Sequence, residues 1–426
     1  MKHKTKRHFG LIVFLIMVFA FPVGLSYQAR LNMRIIVTGV AIDKVEDEYQ
    51  VTAQILKTMP GSKPPGTAAE IDFLIDKSKV LSEAVAKLAY KAGKVSSFTH
   101  TNFIVVGKSI LEEDVLQCLD YFVRDKIIKN SALILFAEDS AAEEIQKTKK
   151  TELSVGIGLQ KVFKFKEINS DGLMVTMIDF LKQSHSNTGT AVASTLKFDK
   201  NKDETKKSSG EESGGSGEES GSGGSGSSGG ESGSGGSGSQ SGSQSEEYEY
   251  FKQDAPLMCF VDGKFAGKIE DSGHIKGYMF LNKDSEKSEV SLESVTGGRL
   301  NGSRVEIAIN NKKSRAKIRF ENGEPIFDLT VDINKSEIDE INSEKIIGTL
   351  TEEEFDAIEK EFKKAVEKHI NDCFETAKGF NADVFNCYDY AYKFAYKDTM
   401  DRFDKKEDFL KNVKLNISVN IKQMDY

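Results

Sequence analysis

Two side chains with clear chemical potential lie on one face of a predicted helix. His369 and Cys373 are four residues apart where apolar residues recur at helical spacing, and an imidazole with a thiolate at that spacing is able to hold a metal ion. Cys387 adds a third candidate ligand, whereas structural zinc sites usually have four. The alternative is a buried helical histidine beside a small apolar cysteine, and the sequence favours it. We therefore expect no metal and no cofactor.

The rest of the sequence does not contain a recognisable catalytic motif. It lacks G-x-S-x-G, H-E-x-x-H, a phosphate-binding G-K-[ST] loop and C-x-x-C. His100 stands just before a predicted strand, without an evident acid or base partner in the sequence. No pair stands out among the 66 Asp and Glu residues. We expect no catalytic residues and no enzymatic activity.

Charge and cysteine content exclude further classes of protein. The formal net charge is −8 and the basic residues are not gathered into one patch, which argues against a nucleic-acid partner. The four cysteines are too few and too scattered for a disulfide framework, and their apolar surroundings predict that they are buried. They are Cys118, Cys259, Cys373 and Cys387.

The N-terminal residues 1–26 have the form of an export signal or a membrane anchor. Lysine and arginine in residues 1–8 precede an uncharged apolar run from Phe9 to Gly24. Cleavage after Ser26 and retention as an anchor both agree with this pattern. In either case we expect the remainder on the extracytoplasmic face of a membrane. No cysteine precedes Cys118, so we expect no lipid at a lipobox cysteine.

A low-complexity segment divides the chain. Ser208–Ser245 consists only of Gly, Ser, Glu and Gln, and such a segment cannot bury a core. We place a disordered linker at 201–247, between an N-terminal region at 27–200 and a C-terminal region at 248–426. The segment is either a spacer between two folded halves or a tolerated loop insertion, and the sequence favours the insertion.

In the first half, strands and helices are predicted in turn. β-Branched runs at Arg34–Ile42 and Tyr49–Lys57 predict a hairpin. The further elements are a helix from Val80 that stops at Gly93, a strand at 102–106, a helix opened by a Ser109–Glu112 capping box, a strand at 132–136, a helix through about Gln146 and a helix at 171–183.

The second half opens with strands. Asp262-Gly263 and Asn322-Gly323 predict tight hairpin turns, and strictly alternating apolar residues predict three strands between Val305 and Ile333. Thr351 and Glu354 form a capping box before a helix that ends near Gly379, and a last strand runs from Val413 to Ile421. The predicted class is α+β and multi-domain, with mixed or antiparallel sheets each packed with helices.

The order of these segments resembles the Ger(x)C family. Thr38–Asp43 is similar to its "giD" turn, and His100–Lys108 is similar to its "h-vvvigk" strand. Cys259–Lys268 resembles its "a-Fk-dklvGkl" hairpin, and Asp383-Val384-Phe385 resembles the start of its "Dvfgfg" motif. Asn386-Cys387-Tyr388 replaces the "Gfg" of that motif, and the lipobox cysteine typical of the family is missing.

The resemblance implies the C subunit of a spore nutrient-germinant receptor, a non-enzymatic protein that acts beside integral membrane subunits at the spore inner membrane. Arg124-Asp125 looks like the family's "Rd-eir-s" segment and is our candidate interaction segment, although an Arg-Asp pair after a helix is more often a local cap or ion pair. The alternative function is an exported or anchored small-molecule-binding protein, which would need a cleft with convergent polar groups.

Overall fold

The structure is a computed structural model that describes residues 34–56, 71–113, 115–124, 127–150, 156–200, 249–251, 255–342 and 349–426. The predictions for residues 1–26 and for Ser208–Ser245 lie outside these described residues.

A mixed sheet forms the centre of the first half. Strands β1 (Arg34–Val45) and β2 (Glu48–Leu56) pair antiparallel, which confirms the predicted hairpin, and Glu46 and Asp47 turn the chain with φ values of 52° and 62°. The remaining strands are β3 (Ile71–Ser78), β4 (Val95–Ser97), β5 (Phe103–Val106) and β6 (Leu133–Phe136). The strand order is β3-β2-β1-β5-β6, and β4 pairs in parallel with the first three residues of β1.

Six helices of the described first half flank this sheet. They are α1 (Leu81–Ala92), α2 (Lys108–Leu111), α3 (Val115–Arg124), α4 (Ala141–Lys147), α5 (Gly156–Ile168) and α6 (Met177–Ser184). Gly93 ends α1 in the left-handed conformation, as its position predicts.

Two helix predictions need correction, and a further helix is absent from the predictions. The Ser109–Glu112 capping box is wrong, because the Ser109 hydroxyl accepts a hydrogen bond from the Lys44 amide of β1 at 2.7 Å and α2 ends at Leu111. Helix α6 begins after Thr176, whose hydroxyl caps it, rather than at residue 171. Helix α5 was not predicted.

A second sheet joins residues from both sides of the low-complexity segment. Its order is β11-β10-β7, where β7 is Thr190–Ser194, β10 is Leu257–Val261 and β11 is Lys264–Ile269. The Asp262-Gly263 turn between β10 and β11 is confirmed, since both residues have positive φ. The two halves therefore share one sheet.

The ends of the segment at 201–248 lie side by side. Strand β8 (Phe198–Lys200) pairs antiparallel with β9 (Glu249–Phe251), and Lys200 is opposite Glu249. This pairing places Lys200 and Glu249, the described residues on either side of the segment, next to each other.

The third sheet is built on a long hairpin. Strands β13 (Ser303–Glu321) and β14 (Glu324–Asn342) turn at Asn322-Gly323, as predicted. The two strands predicted at 305–309 and 316–320 are one continuous β13, in which irregularities near Asn311 replace a loop. Strands β12 (Ser288–Val295), β15 (Lys414–Ile421) and β16 (Met424–Asp425) complete the sheet.

The helices of the second half are α7 (Ser272–Met279), α8 (Glu352–Gly379), α9 (Cys387–Phe394), α10 (Tyr396–Met400) and α11 (Lys406–Asn412). The predicted capping box of Thr351 and Glu354 is present at the start of α8. Helix α7 crosses α8 closely, because a Cβ atom on Gly277 would lie 2.0 Å from the backbone oxygen of His369.

One apolar core runs through both halves. It contains Phe136 of β6, Phe180 of α6 and Phe260 of β10, whose ring centroids are 4.5–5.5 Å apart. All four cysteines are buried and free, as predicted. Burial raises the pKa of Cys118 and of Cys259 to about 12, so both thiols are protonated and inert at neutral pH.

Candidate functional site

Asp43, the acidic residue of the first family-like motif, caps a helix. Its two carboxylate oxygens accept hydrogen bonds from the amides of Ala141 and Ala142 at 2.9 and 2.8 Å, at the first turn of α4. The side chain is buried, and burial raises its pKa above the ordinary value. Gly107 makes room for it, because a Cβ there would lie 1.9 Å from the carboxylate. The role of Asp43 is structural.

Asp383, in the second half, has the same arrangement. Its carboxylate oxygens accept hydrogen bonds from the amides of Cys387 and Tyr388, both at 2.8 Å, at the start of α9. Its own amide donates to the Thr190 hydroxyl of β7 at 3.1 Å, which links the two halves. Burial raises the pKa of Asp383 to about 6, although the two amide hydrogen bonds lower it.

In the sequence, Asp43 and Asp383 stand out only because they belong to the family-like motifs. Their capping roles depend on amides 98 and 4 residues away. The sequence alone can suggest the role of Asp383, because an Asp shortly before a helix often caps it. The role of Asp43 depends on the sheet, which brings β1 next to α4.

The candidate interaction segment lies at the end of α3. The Arg124 side chain is 70 % exposed and is 3.3 Å from Asp120, four residues before it. Asp125 lies outside the described residues. The local ion pair of Arg124 agrees with the simpler of the two interpretations offered by the sequence.

The candidate metal ligands are embedded in helix packing. Cys373 is buried in α8, and burial raises its pKa strongly. His369 packs against Gly273 of α7, and burial lowers its pKa. Cys387 begins a different helix. Within the described ranges, no group of three His, Cys, Asp or Glu side chains is arranged to hold a metal.

A cleft of about 940 Å³ opens where the two halves meet. The first half contributes residues 173–175 and the α6 side chains Asp179 and Gln183. The second half contributes residues 280–284, 312–316 and 384–386. Phe327 and Leu329 of β14 also line it. A volume of this size lies in the range of small-ligand sites.

Charged groups of both signs line the cleft, and several are bound to each other. Asp332 accepts a hydrogen bond from Arg315 at 2.6 Å, and the buried Glu167 lies 2.9 Å from the Lys164 ammonium. Glu167 also accepts a hydrogen bond from the Asn282 side chain at 3.3 Å. The lining combines apolar, aromatic and charged groups, without a nucleophile and base in contact among the residues described above.

Lys312 is the most unusual side chain of the cleft. Only 7 % of it is exposed, and its ammonium donates to the backbone oxygens of Met279 and Ser285 at 2.8 and 2.9 Å. The ammonium also lies 5.3 Å from the centroid of the Phe280 ring. Burial lowers its pKa to about 7. The sequence did not single out Lys312, since it is one cation in a basic run from 312 to 319.

No helix among the described residues is long and apolar enough to cross a membrane.

The comparisons with known proteins cover both halves. Residues 27–198 match the family described as Spore germination protein N-terminal domain, and residues 257–424 match the family described as Spore germination B3/GerAC like, C-terminal. Spore germination protein B3 of Bacillus subtilis (strain 168) is 29% identical over 113 residues, which cover 26% of this chain and 29% of that protein. The alignment thus spans less than a third of the curated relative.

Among solved structures, the crystal structure of the GerBC protein matches with a TM-score of 0.46 and 15% identity, over 90% of this chain and 97% of that chain. The two family matches follow one another in the same order as the motifs in the sequence and leave out the low-complexity segment between them. The chain therefore belongs to the Ger(x)C family of spore germination proteins.

Proposed function

We propose that this chain is a non-enzymatic, extracytoplasmic subunit of a spore nutrient-germinant receptor that couples or scaffolds integral membrane subunits. The observation that carries the proposal is the pair of family matches, one in each half, downstream of an apolar N-terminal segment with a basic flank. The site agrees with it, because the buried carboxylates of Asp43 and Asp383 accept hydrogen bonds from the first amides of helices.

The membrane location rests on the N-terminal sequence. A reporter fused after residue 60 is expected to be active only in an extracytoplasmic assay, because the basic flank keeps the N-terminus in the cytoplasm. The matched control carries glutamates at Lys2, Lys4, Lys6 and Arg7, which removes the charge asymmetry and reduces export. Reporter activity in the cytoplasm with the natural N-terminus would contradict this topology.

The partnership is tested in spores. We expect a tagged chain pulled down from solubilised spore membranes to bring integral membrane proteins with it, and we expect deletion of its gene to block nutrient-triggered germination. Re-expression of the chain restores germination in the control strain. Recovery of the chain alone, together with normal germination of the deletion strain, would defeat the receptor-subunit proposal.

The segment Arg124-Asp125 remains our proposal for a contact with a partner. Arg124 is exposed, so Arg124→Glu changes the surface without disturbing a buried group. The expected result is weaker co-purification of membrane partners, while an Asp120→Asn variant, which removes only the local ion pair, keeps it. Equal recovery with Arg124→Glu would remove this segment from the interface.

A small-molecule-binding protein is the second candidate, and the cleft of about 940 Å³ favours it. Thermal shift assays with panels of free amino acids, sugars and nucleosides test it directly. A ligand that raises the melting temperature in the natural chain, but not in a chain with Asn282→Arg in the cleft lining, supports this function. Adjacent reading frames that encode an ATP-driven permease would support it as well.

A further inference from the structure

Strand β13 has one open side along its second half. It pairs with β12 only through residues 303–309, and beyond the irregularity near Asn311 its single partner among the described strands is β14. In a strand, every second residue directs its backbone N–H and C=O to the same side. Residues 312–320 therefore present a row of backbone donors and acceptors on the side away from β14.

The side chains of this edge alternate in chemistry. Lys313, Arg315, Lys317 and Arg319 are exposed on one face of the strand. Ser314, Ala316, Ile318 and Phe320 are half-buried on the other face. An added strand would thus meet cations on one face and apolar groups on the other.

Part of the positive charge is not neutralised within the described chain. Arg315 pairs with Asp332 at 2.6 Å and Arg319 pairs with Asp328 at 2.7 Å. Lys313 and Lys317 lie opposite Asp332 and Asp328 of β14, the carboxylates that these arginines already bind, and neither lysine is itself within ion-pair distance of a carboxylate among the described residues. This basic strand belongs to a protein whose net charge is −8, so it differs in sign from the chain as a whole.

The edge also borders open space. Residues 312–316 line the cleft, together with the aromatic side chains of Phe280 and Tyr390. A strand added to β13 would lie about 4.8 Å from it. Its apolar side chains would then lie on the same face as the half-buried Ser314 and Ala316. Edge lysines often serve only to prevent strand pairing, but a cleft of about 940 Å³ beside the edge leaves room for a partner here.

We propose that the open edge of β13, from Lys312 to Phe320, binds an extended peptide segment of a partner protein in which carboxylate side chains alternate with apolar ones. The backbone hydrogen bonds supply the binding mode, and the cationic row selects acidic partners. This inference deepens the proposed function by stating how a partner binds.

The test uses the purified full chain and a fluorescein-labelled peptide of four Glu-Val repeats, measured by fluorescence anisotropy. We expect saturable binding of this peptide and none of its Lys-Val counterpart. Lys313→Glu combined with Lys317→Glu is expected to weaken binding by at least about tenfold, since two opposite-charge contacts become repulsive. Lys360→Glu combined with Lys368→Glu changes the same charge on the exposed face of α8 and is expected to leave binding unchanged.

Two N-methylated peptides test the strand pairing itself. Methylation of all valine amides and methylation of all glutamate amides block opposite sides of the peptide strand. Only one side faces β13, so one form is expected to bind and the other is not. Equal binding of both forms shows a charge effect without strand addition and overturns the proposal.

Vesicles of phosphatidylglycerol supply the last comparison. If they displace the peptide and bind the chain through Lys313 and Lys317, the edge is a lipid-binding surface and the peptide proposal is wrong. Absence of peptide binding overturns the proposal as well. In that case co-purification of membrane subunits from spores still tests the proposed function separately, because that experiment does not depend on this edge.

Discussion

At the scale of single residues, burial shifts the pKa values of two side chains in opposite directions. Asp383 lies under the first turn of α9 and Lys312 lies in the cleft wall, and burial favours the neutral form of each. Both make hydrogen bonds to the backbone. Each therefore links stability to pH in its own window.

The pKa of Asp383 predicts a loss of stability as pH rises. The folded state holds the proton more tightly than the unfolded chain, since its pKa is raised from 3.8 to about 6. The contribution is complete below pH 4 and is lost as pH rises through 6. Relative to Asp383→Asn, the natural chain is expected to lose about 2–3 kcal/mol of unfolding free energy between pH 4 and pH 7. Urea denaturation across this range measures it, with Asp398→Asn as an exposed control.

Lys312 predicts the opposite trend at higher pH. Its pKa is lowered from 10.5 to about 7, so the folded state holds the proton less tightly than the unfolded chain. Relative to Lys312→Met, the natural chain is expected to gain about 3 kcal/mol of unfolding free energy between pH 7 and pH 9.5. Lys313→Met, at the exposed neighbouring position, serves as the control. A flat difference between Lys312→Met and the natural chain would show that the ammonium is solvated.

At the scale of elements, close helix packing depends on two small residues of α7. Gly273 and Gly277 face His369 and Cys373 of α8, and a Cβ at Gly277 would lie 2.6 Å from the His369 carbonyl carbon and 3.0 Å from the Cys373 Cβ. The nearest atoms belong to the backbone of α8 and cannot rotate away. His369 and Cys373, which suggested a metal site in the sequence, instead belong to the surface of α8 against which α7 packs.

We expect Gly277→Ala to destabilise the second half by about 2–3 kcal/mol, because α7 and α8 must move apart. The control is Gly379→Ala at the end of α8, where nothing lies within 4 Å of the added Cβ and the substitution is expected to be neutral or to stabilise by up to about 1 kcal/mol. Denaturation midpoints in guanidinium chloride compare the two variants. Equal stability of both would contradict the close crossing.

At the scale of the whole molecule, the halves are not joined only through the segment at 201–248. Strand β7 pairs with β10 over five residues, and one apolar core contains side chains from both halves. The pairing of β8 with β9 brings the two ends of the segment together. Of the two interpretations left open by the sequence, this geometry favours a loop insertion. The domain boundaries at 200 and 248 stay a prediction.

Replacement of residues 201–248 by Asn-Gly is therefore expected to leave the protein folded. Each halving of a loop lowers the free-energy cost of closing it by about 0.6 kcal/mol, so shortening 48 residues to two should stabilise the variant by about 3 kcal/mol. Cleavage of the natural chain within Ser208–Ser245 should leave the two fragments associated in size-exclusion chromatography. Separation of the fragments, or unfolding of the Asn-Gly variant, would show that the segment is a required spacer.

The sequence by itself determined the local elements, because turns, caps and alternation depend on neighbouring residues. Asp262-Gly263, Asn322-Gly323 and the capping box at Thr351 form as predicted. Local signals failed where a distant group intervened: Ser109 binds the Lys44 amide of β1 instead of capping a helix.

Only the tertiary structure decided which elements meet. The pairing of β7 with β10, the capping of α4 by Asp43 and the burial of Lys312 each join residues that are distant in the chain. The periodic pattern of apolar residues in the sequence does not predict such contacts, since they depend on the order of strands in a sheet and on the space left between the halves. The cleft lies where the two halves meet, and the open edge of β13 begins beyond Ile309, where pairing with β12 stops and β14 is its only strand partner among the described residues.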